Sequence, residues 1–134
     1  MNMLLVEDDE RIVEFMKRGL EAEQWSVFHV RNHQEYERMI VHDHVDFALC
    51  DIVLGQENGL DLCRRIRREF PSIPIVVMTA KDSPCLYQRS LTAGADGYLP
   101  KPFSFDALLT KIDELIGRHQ ERKASLQWRT PSSS

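Results

Sequence analysis

The chain has 134 residues, 43% of them hydrophobic and 28% charged, with a formal net charge of −4. That is room for one domain of about 100–150 residues, and no apolar run approaches the roughly 20 residues of a membrane-spanning helix. The acidic balance argues against direct nucleic-acid binding, and the scattered Cys50, Cys63 and Cys85 fit reduced thiols rather than a disulfide framework or metal cluster.

In chain order, Met3 to Val6 is a continuous apolar run that stops in Glu7, Asp8 and Asp9, the pattern of a central strand buried on both faces. With no basic segment or cleavage site ahead of this run, no secretory signal is visible, and the expected location is cytoplasmic. Ile12, Val13, Met16 and Leu20 recur at helical spacing, so a helix is predicted over about 10–23. Trp25 to Val30, rich in β-branched and aromatic residues, reads as a strand. Asn32 with Glu35 has the form of a capping box for a short second helix carrying Tyr36, Met39 and Ile40.

Val45 to Asp51 reads as a third strand that ends by presenting one carboxylate. Gly55 and the Asn58-Gly59 pair mark a loop immediately after it. Leu60, Cys63, Ile66 and Phe70 form the stripe of a third helix, whose arginines are expected on solvated faces, and Pro71 and Pro74 bound it. Ile75 to Met78 is the next strand, followed by Thr79. Asp82, Ser83 and Pro84 predict the start of a helix over 84–93, ended by Ala93-Gly94. Gly97 to Pro100 is a short strand ending at Lys101. Ser104 is expected to cap a fifth helix with the stripe Phe105, Leu108, Leu109, Ile112, Leu115 and Ile116. Residues 1–118 are thus expected to form the domain, and 119–134 a helix extension, linker or tail.

Strict alternation of five strands and five helices calls for an α/β fold, a parallel sheet between two helical layers. Right-handed crossovers put a site at the carboxyl ends of the strands. We favour the flavodoxin-like doubly wound order 2-1-3-4-5, in which Glu7, Asp8 and Asp51 converge with Thr79 and Lys101 on neighbouring strand ends. Three carboxylates against one ammonium leave an acidic surplus that a divalent cation neutralises. Oxygen-only ligation suits Mg²⁺ better than Zn²⁺. A carboxylate beside Mg²⁺ can attack phosphorus, with Lys101 and the Thr79 hydroxyl stabilising the equatorial oxygens.

Four segments then match a family in order: Val6 to Asp9; Asp51 with Gly59 eight residues later; Thr79-Ala80; and Gly94 through Lys101-Pro102-Phe103. Over about residues 2–118 the chain resembles the receiver domain of two-component response regulators. The resemblance implies that Asp51 accepts a phosphoryl group from a sensor histidine kinase or phosphotransfer protein. It further implies that Asp8 and Asp51 bind Mg²⁺ directly, that Glu7 acts through water, and that Val53 lends its backbone carbonyl. Asp9 is the alternative third acid or a cap for the first helix. Thr79 and Lys101 would contact the phosphoryl oxygens, Lys101-Pro102 would be cis, and Tyr98 would be the switch aromatic. The output face would be the fourth helix, fifth strand and fifth helix, which also admits a phosphorylation-dependent homodimer.

Several positions depart from the family pattern. Gly55 replaces a frequent proline, and Gly97 replaces an acid frequent in members that dimerise through the output face. Val53 and Lys81 stand where the family tunes dephosphorylation, and an apolar Val53 cannot hold an attacking water, so slow hydrolysis is expected. The five histidines, at 29, 33, 42, 44 and 119, read as solvated or packing residues. Three other functions compete with this reading. An aspartate-nucleophile phosphatase needs an acid where Val53 stands. A flavin-binding protein needs a phosphate loop where three acids follow the first strand. A receiver-like scaffold independent of phosphorylation would not require the full set of reactive residues.

Overall fold

A computed structural model describes residues 1–39, 44–54, 57–80 and 84–129. The predicted Ile40 of the second helix, the loop's Gly55, the tuning position Lys81, the Asp82-Ser83 cap, His42 and residues 130–134 lie outside them, as does the side chain of His119.

The elements run β1 (Asn2–Val6), α1 (Glu10–Ala22), β2 (Ser26–Val30), α2 (His33–Met39), β3 (Phe47–Asp51), β4 (Val53–Leu54), β5 (Glu57–Asn58), α3 (Gly59–Glu69), β6 (Ile75–Thr79), α4 (Pro84–Thr92), β7 (Gly97–Pro100) and α5 (Phe105–Arg129). Five strands form one parallel sheet in the order β2-β1-β3-β6-β7, the predicted 2-1-3-4-5 arrangement once the short β4-β5 pair is set aside. The two short strands are the main addition to the predicted elements: they pair antiparallel, Val53 with Asn58.

Side-chain alternation divides the core between the two faces of the sheet. Met3, Leu5, Phe47, Leu49, Val76 and Met78 meet α1 and α5. Leu4, Val6, Ala48, Cys50, Ile75 and Val77 meet Tyr36 of α2 and the Leu60, Leu62, Cys63 and Ile66 face of α3. Central strands covered on both sides must be apolar throughout, which is why β3 and β6 read as unbroken runs and the edge strands β2 and β7 do not. Helix α1 buries Val13, Met16 and Leu20 at its three- and four-residue spacing, worth about 1.5–3 kcal/mol for each large side chain removed from water.

The helix starts follow local chemistry. Asp9 Oδ1 accepts from Arg11 N at 3.0 Å and caps α1, Asn58 Oδ1 accepts from Leu60 N at 2.9 Å at the head of α3, and Ser104 Oγ accepts from Ala107 N at 3.0 Å at the head of α5. At α2 Asn32 accepts from Glu35 N as predicted, but the Glu35 carboxylate returns to the N–H of Arg31 rather than to Asn32. The expected solvated faces of α3 also need correction. Arg67 curls past the helix end, donating to the carbonyls of Phe70, Pro71, Ile73 and Gly94 and to Asp96. A long five-donor side chain in the final turn can satisfy the carbonyl at the helix cap and those of the loops beyond it, which have no ladder partners. Arg65 likewise pairs with Glu37 and Glu69 and lies over the Tyr36 ring.

Candidate functional site

Every polar group singled out for chemistry sits at or just beyond a strand's carboxyl end. Glu7 and Asp8 follow β1, Asp51 ends β3, Thr79 ends β6 and Lys101 follows β7. The register sets them side by side, with Val6 opposite Cys50, Asp51 opposite Met78 and Thr79 opposite Pro100. Beyond Thr79, Lys101 N donates to the Thr79 carbonyl at 2.7 Å, which carries the ladder one rung further and delivers the lysine stem to the acids. The Lys101-Pro102 peptide is cis.

One carboxylate oxygen each from Glu7, Asp8 and Asp51 lies within 4.8 Å of the others. Glu7 and Thr79 are fully buried and Asp51 nearly so, whereas Asp8 is exposed. Lys101 Nζ donates to Glu7 Oε1 at 2.7 Å and to Asp51 Oδ2 at 2.9 Å. Asp51 Oδ1 accepts from the Val53 N–H at 3.1 Å, and Glu7 Oε2 accepts from Asp9 N at 3.2 Å. Among the described residues no buried side-chain nitrogen or oxygen lacks a partner.

Burial disfavours the charged form of a carboxylate and pushes Glu7 up to about 7; the Lys101 hydrogen bond pulls it down and the Asp51 charge pushes it up further. For Lys101, burial acts downward, but hydrogen bonds to Glu7 and Asp51 outweigh it and leave the ammonium above its ordinary value. The cluster is an oxygen-only, anion-rich pocket with one wall open at Asp8. That donor set fits a hard divalent cation, and no described histidine or cysteine joins it.

The remaining predicted site residues are placed as follows. Val53 heads β4 with its side chain 45% exposed. Tyr98 lies half-buried on β7, packed against the α2–α3 core and edge-on to Tyr87 of α4 at 5.6 Å. His29 was missed as part of this neighbourhood: its Nε2 lies 2.7 Å from the Glu7 carbonyl oxygen. The available signal was a histidine in the strand flanking β1, just before the chain turns into α2. Periodicity alone does not distinguish it from a packing residue.

Comparisons with known proteins agree with this arrangement. The sequence profile described as response regulator receiver domain matches residues 3–113. Response regulator MprA of Mycobacterium leprae (strain TN) is 36% identical over 118 residues, covering 88% of this chain and 52% of that protein. The chain therefore spans about half the length of the curated relatives it matches. Among solved structures, a CheY-like response regulator receiver domain protein from Methanospirillum hungatei JF-1 superposes with a TM-score of 0.84 at 30% identity, covering 90% of this chain and 97% of that one. A Burkholderia pseudomallei response regulator solved with a phosphorylated aspartic acid, calcium ion and citrate gives 0.79 at 27% identity, covering 97% and 75%. No helix among the described residues is long and apolar enough to cross a membrane. With its profile match, parallel five-stranded sheet and acidic strand-end cluster, the chain belongs to the response regulator receiver domain family.

Proposed function

We propose that Asp51 accepts a phosphoryl group from a sensor histidine kinase or phosphotransfer protein in a Mg²⁺-dependent step, turning the domain into a signalling switch. The observation that carries this reading is the shared hydrogen bonding of Lys101 to Asp51 and Glu7 at the edge of the three-carboxylate cluster. An Asp51 oxygen attacks phosphorus, the bond from phosphorus to the donor's nitrogen breaks, and that nitrogen leaves with the electron pair. Glu7, Asp8, Asp51 and the Val53 carbonyl would hold Mg²⁺, which supplies charge neutralisation at the attacking carboxylate and the transferring group. Lys101 and the Thr79 hydroxyl would then hold the new phosphoryl oxygens through charge-assisted and neutral hydrogen bonds. The phosphorylated aspartic acid and calcium ion in the Burkholderia relative support both halves of the reading.

The output we assign to α4, β7 and α5, where Tyr98 meets the exposed Tyr87 and Leu91 lies open on α4. Drawing Thr79 to the phosphoryl group would change the space available to Tyr98, and a shift from 1:99 to 99:1 needs about 5.5 kcal/mol of differential interaction. Residues 1–118 act as the receiver in the cytoplasm, and the remainder of α5 extends from it.

The test is incubation with acetyl phosphate and MgCl₂ followed by intact mass. The expected gain is about 80 Da, one phosphoryl group replacing a proton, absent with chelator and absent in Asp51→Ala. A gain that survives Asp51→Ala overturns the assignment.

A further inference from the structure

His29 has no part in the chemistry proposed above, yet its ring touches the backbone that carries two of the acids. It is the penultimate residue of β2, opposite Leu5 in register. Its Nε2 lies 2.7 Å from the Glu7 carbonyl oxygen; a carbonyl only accepts, so Nε2 carries a proton and donates. The bond replaces a missing rung. Glu7 N donates to the Val30 carbonyl at 3.1 Å, and a continuing parallel ladder would next bring the N–H of residue 32 to the Glu7 carbonyl. There the chain turns instead, and Asn32 caps α2.

The Glu7 carbonyl shares a planar peptide with the Asp8 nitrogen. Fixing that carbonyl fixes the plane from which Asp8 springs. The exposed Asp8 carboxylate makes no hydrogen bond or ion pair among the described residues, so its aim depends on its backbone. It nevertheless lies with the Glu7 and Asp51 carboxylates in one 4.8 Å cluster.

We infer that His29 is a positioning residue for the divalent-cation site: its Nε2–H bond to the Glu7 carbonyl holds the Glu7–Asp8 peptide so that the Asp8 carboxylate meets those of Glu7 and Asp51. The inference rests on the cation site proposed above. Partners behind a metal's ligands orient those ligands and tune affinity without touching the ion.

The test is calorimetric titration of the metal-free protein with MgCl₂ for wild type, His29→Leu and His29→Gln. Leucine keeps volume without a donor; glutamine keeps an N–H donor. His29→Leu is expected to weaken Mg²⁺ binding about three- to tenfold, the range of one neutral hydrogen bond, with His29→Gln within about twofold of wild type. Equal affinity in His29→Leu and wild type, or equal losses in the two variants, overturns the role while leaving the cation site standing. Wild type that binds no Mg²⁺ overturns the cation site itself, and this inference with it. Should His29→Leu fail to fold, nitrogen-15 spectra of the wild-type imidazoles decide. A protonated Nε2 at His29 that shifts on adding MgCl₂ supports the role; a bare Nε2, or a signal unmoved by MgCl₂, overturns it.

Discussion

The ammonium of Lys101 donates to Asp51 Oδ2 across 2.9 Å, joining residues fifty positions apart in the chain. The same nitrogen donates to Glu7 Oε1, so one cation is divided between two buried carboxylates. Lys101→Met removes the charge and keeps much of the stem. Mg²⁺ should then bind more tightly, because no ammonium competes for the acids. Phosphoryl transfer from acetyl phosphate should slow about a hundredfold, as when one preorganised donor to a developing charge is lost. Calorimetry and time-resolved intact mass measure the two effects, and an unchanged transfer rate removes Lys101 from the chemistry.

Glu7 gives the metal-free domain a pH-dependent stability. Its folded carboxyl titrates at about 7 against 4.5 when unperturbed, so the folded chain holds this proton more tightly than the unfolded one. The stability linked to it is therefore complete below pH 4.5 and is lost as pH rises through 7. Between pH 5 and 8, in chelator, wild type should lose about 2–3 kcal/mol relative to Glu7→Gln, most of the shift at 1.36 kcal/mol per pKa unit. Urea unfolding at the two pH values tests this; parallel pH dependences in the two proteins would count against it.

Gly59 explains its own place eight residues after Asp51. A Cβ there would lie 2.2 Å from the Asp51 carbonyl oxygen and 2.5 Å from that of Ile52, and Gly59 N donates to the Ile52 carbonyl at 2.6 Å. Both obstacles are backbone, which cannot swing away. Gly59→Ala should destabilise the domain by about 1–3 kcal/mol, the range for forcing an extra atom into a packed site. It should also reduce transfer to Asp51 under conditions where the variant remains folded. A chemical melt and an intact-mass assay check the pair, and wild-type stability in Gly59→Ala would contradict the close approach.

Arg67 ties the end of α3 to the turn before β7. Its guanidinium reaches four backbone carbonyls and Asp96, whose Oδ2 also accepts from Ile75 N at 2.9 Å. Arg67→Ala should cost about 2–4 kcal/mol. Arg67→Lys should recover less than half, since one ammonium cannot span carbonyls on several sides of a planar fork. Equal stability of Arg67→Lys and wild type in urea melts would show that charge alone suffices.

On the proposed phosphorylation of Asp51, Val53 bears on how long the phosphoryl group lasts. Its side chain is exposed beside Asp51 and offers no hydrogen bond. The phosphoryl group on wild type is expected to persist for minutes rather than seconds in Mg²⁺, and Val53→Asn to shorten that lifetime severalfold by holding a water. Decay of the phosphorylated mass with time reads both.

The sheet was legible because burial on two faces leaves a strong trace: Met3 to Val6, Phe47 to Cys50 and Ile75 to Met78 could hardly be anything but central strands. The gathering of Glu7, Asp8, Asp51, Thr79 and Lys101 at one end followed from that topology. Contacts made by long polar side chains were less legible. Arg67 looks like any solvated arginine until the turn at Gly94 is in place, with φ at 105° and the Arg67 stem against it. His29 looks like a packing residue until β2 ends one rung short of Glu7. In both cases the partner is a backbone carbonyl, which no residue-type pattern records.

Helix α5 begins at Phe105, four residues after Lys101, and continues without interruption to Arg129. At 1.5 Å per residue its axis is about 36 Å long. Its Phe105, Leu108, Ile112, Leu115 and Ile116 rest on the same sheet face as Met78 and Leu99. A tilt of about 5° at the Lys101 end would displace the far end by about 3 Å over that length. A small adjustment at the N-terminal end of the helix is thus magnified along its length into a movement as large as a side chain.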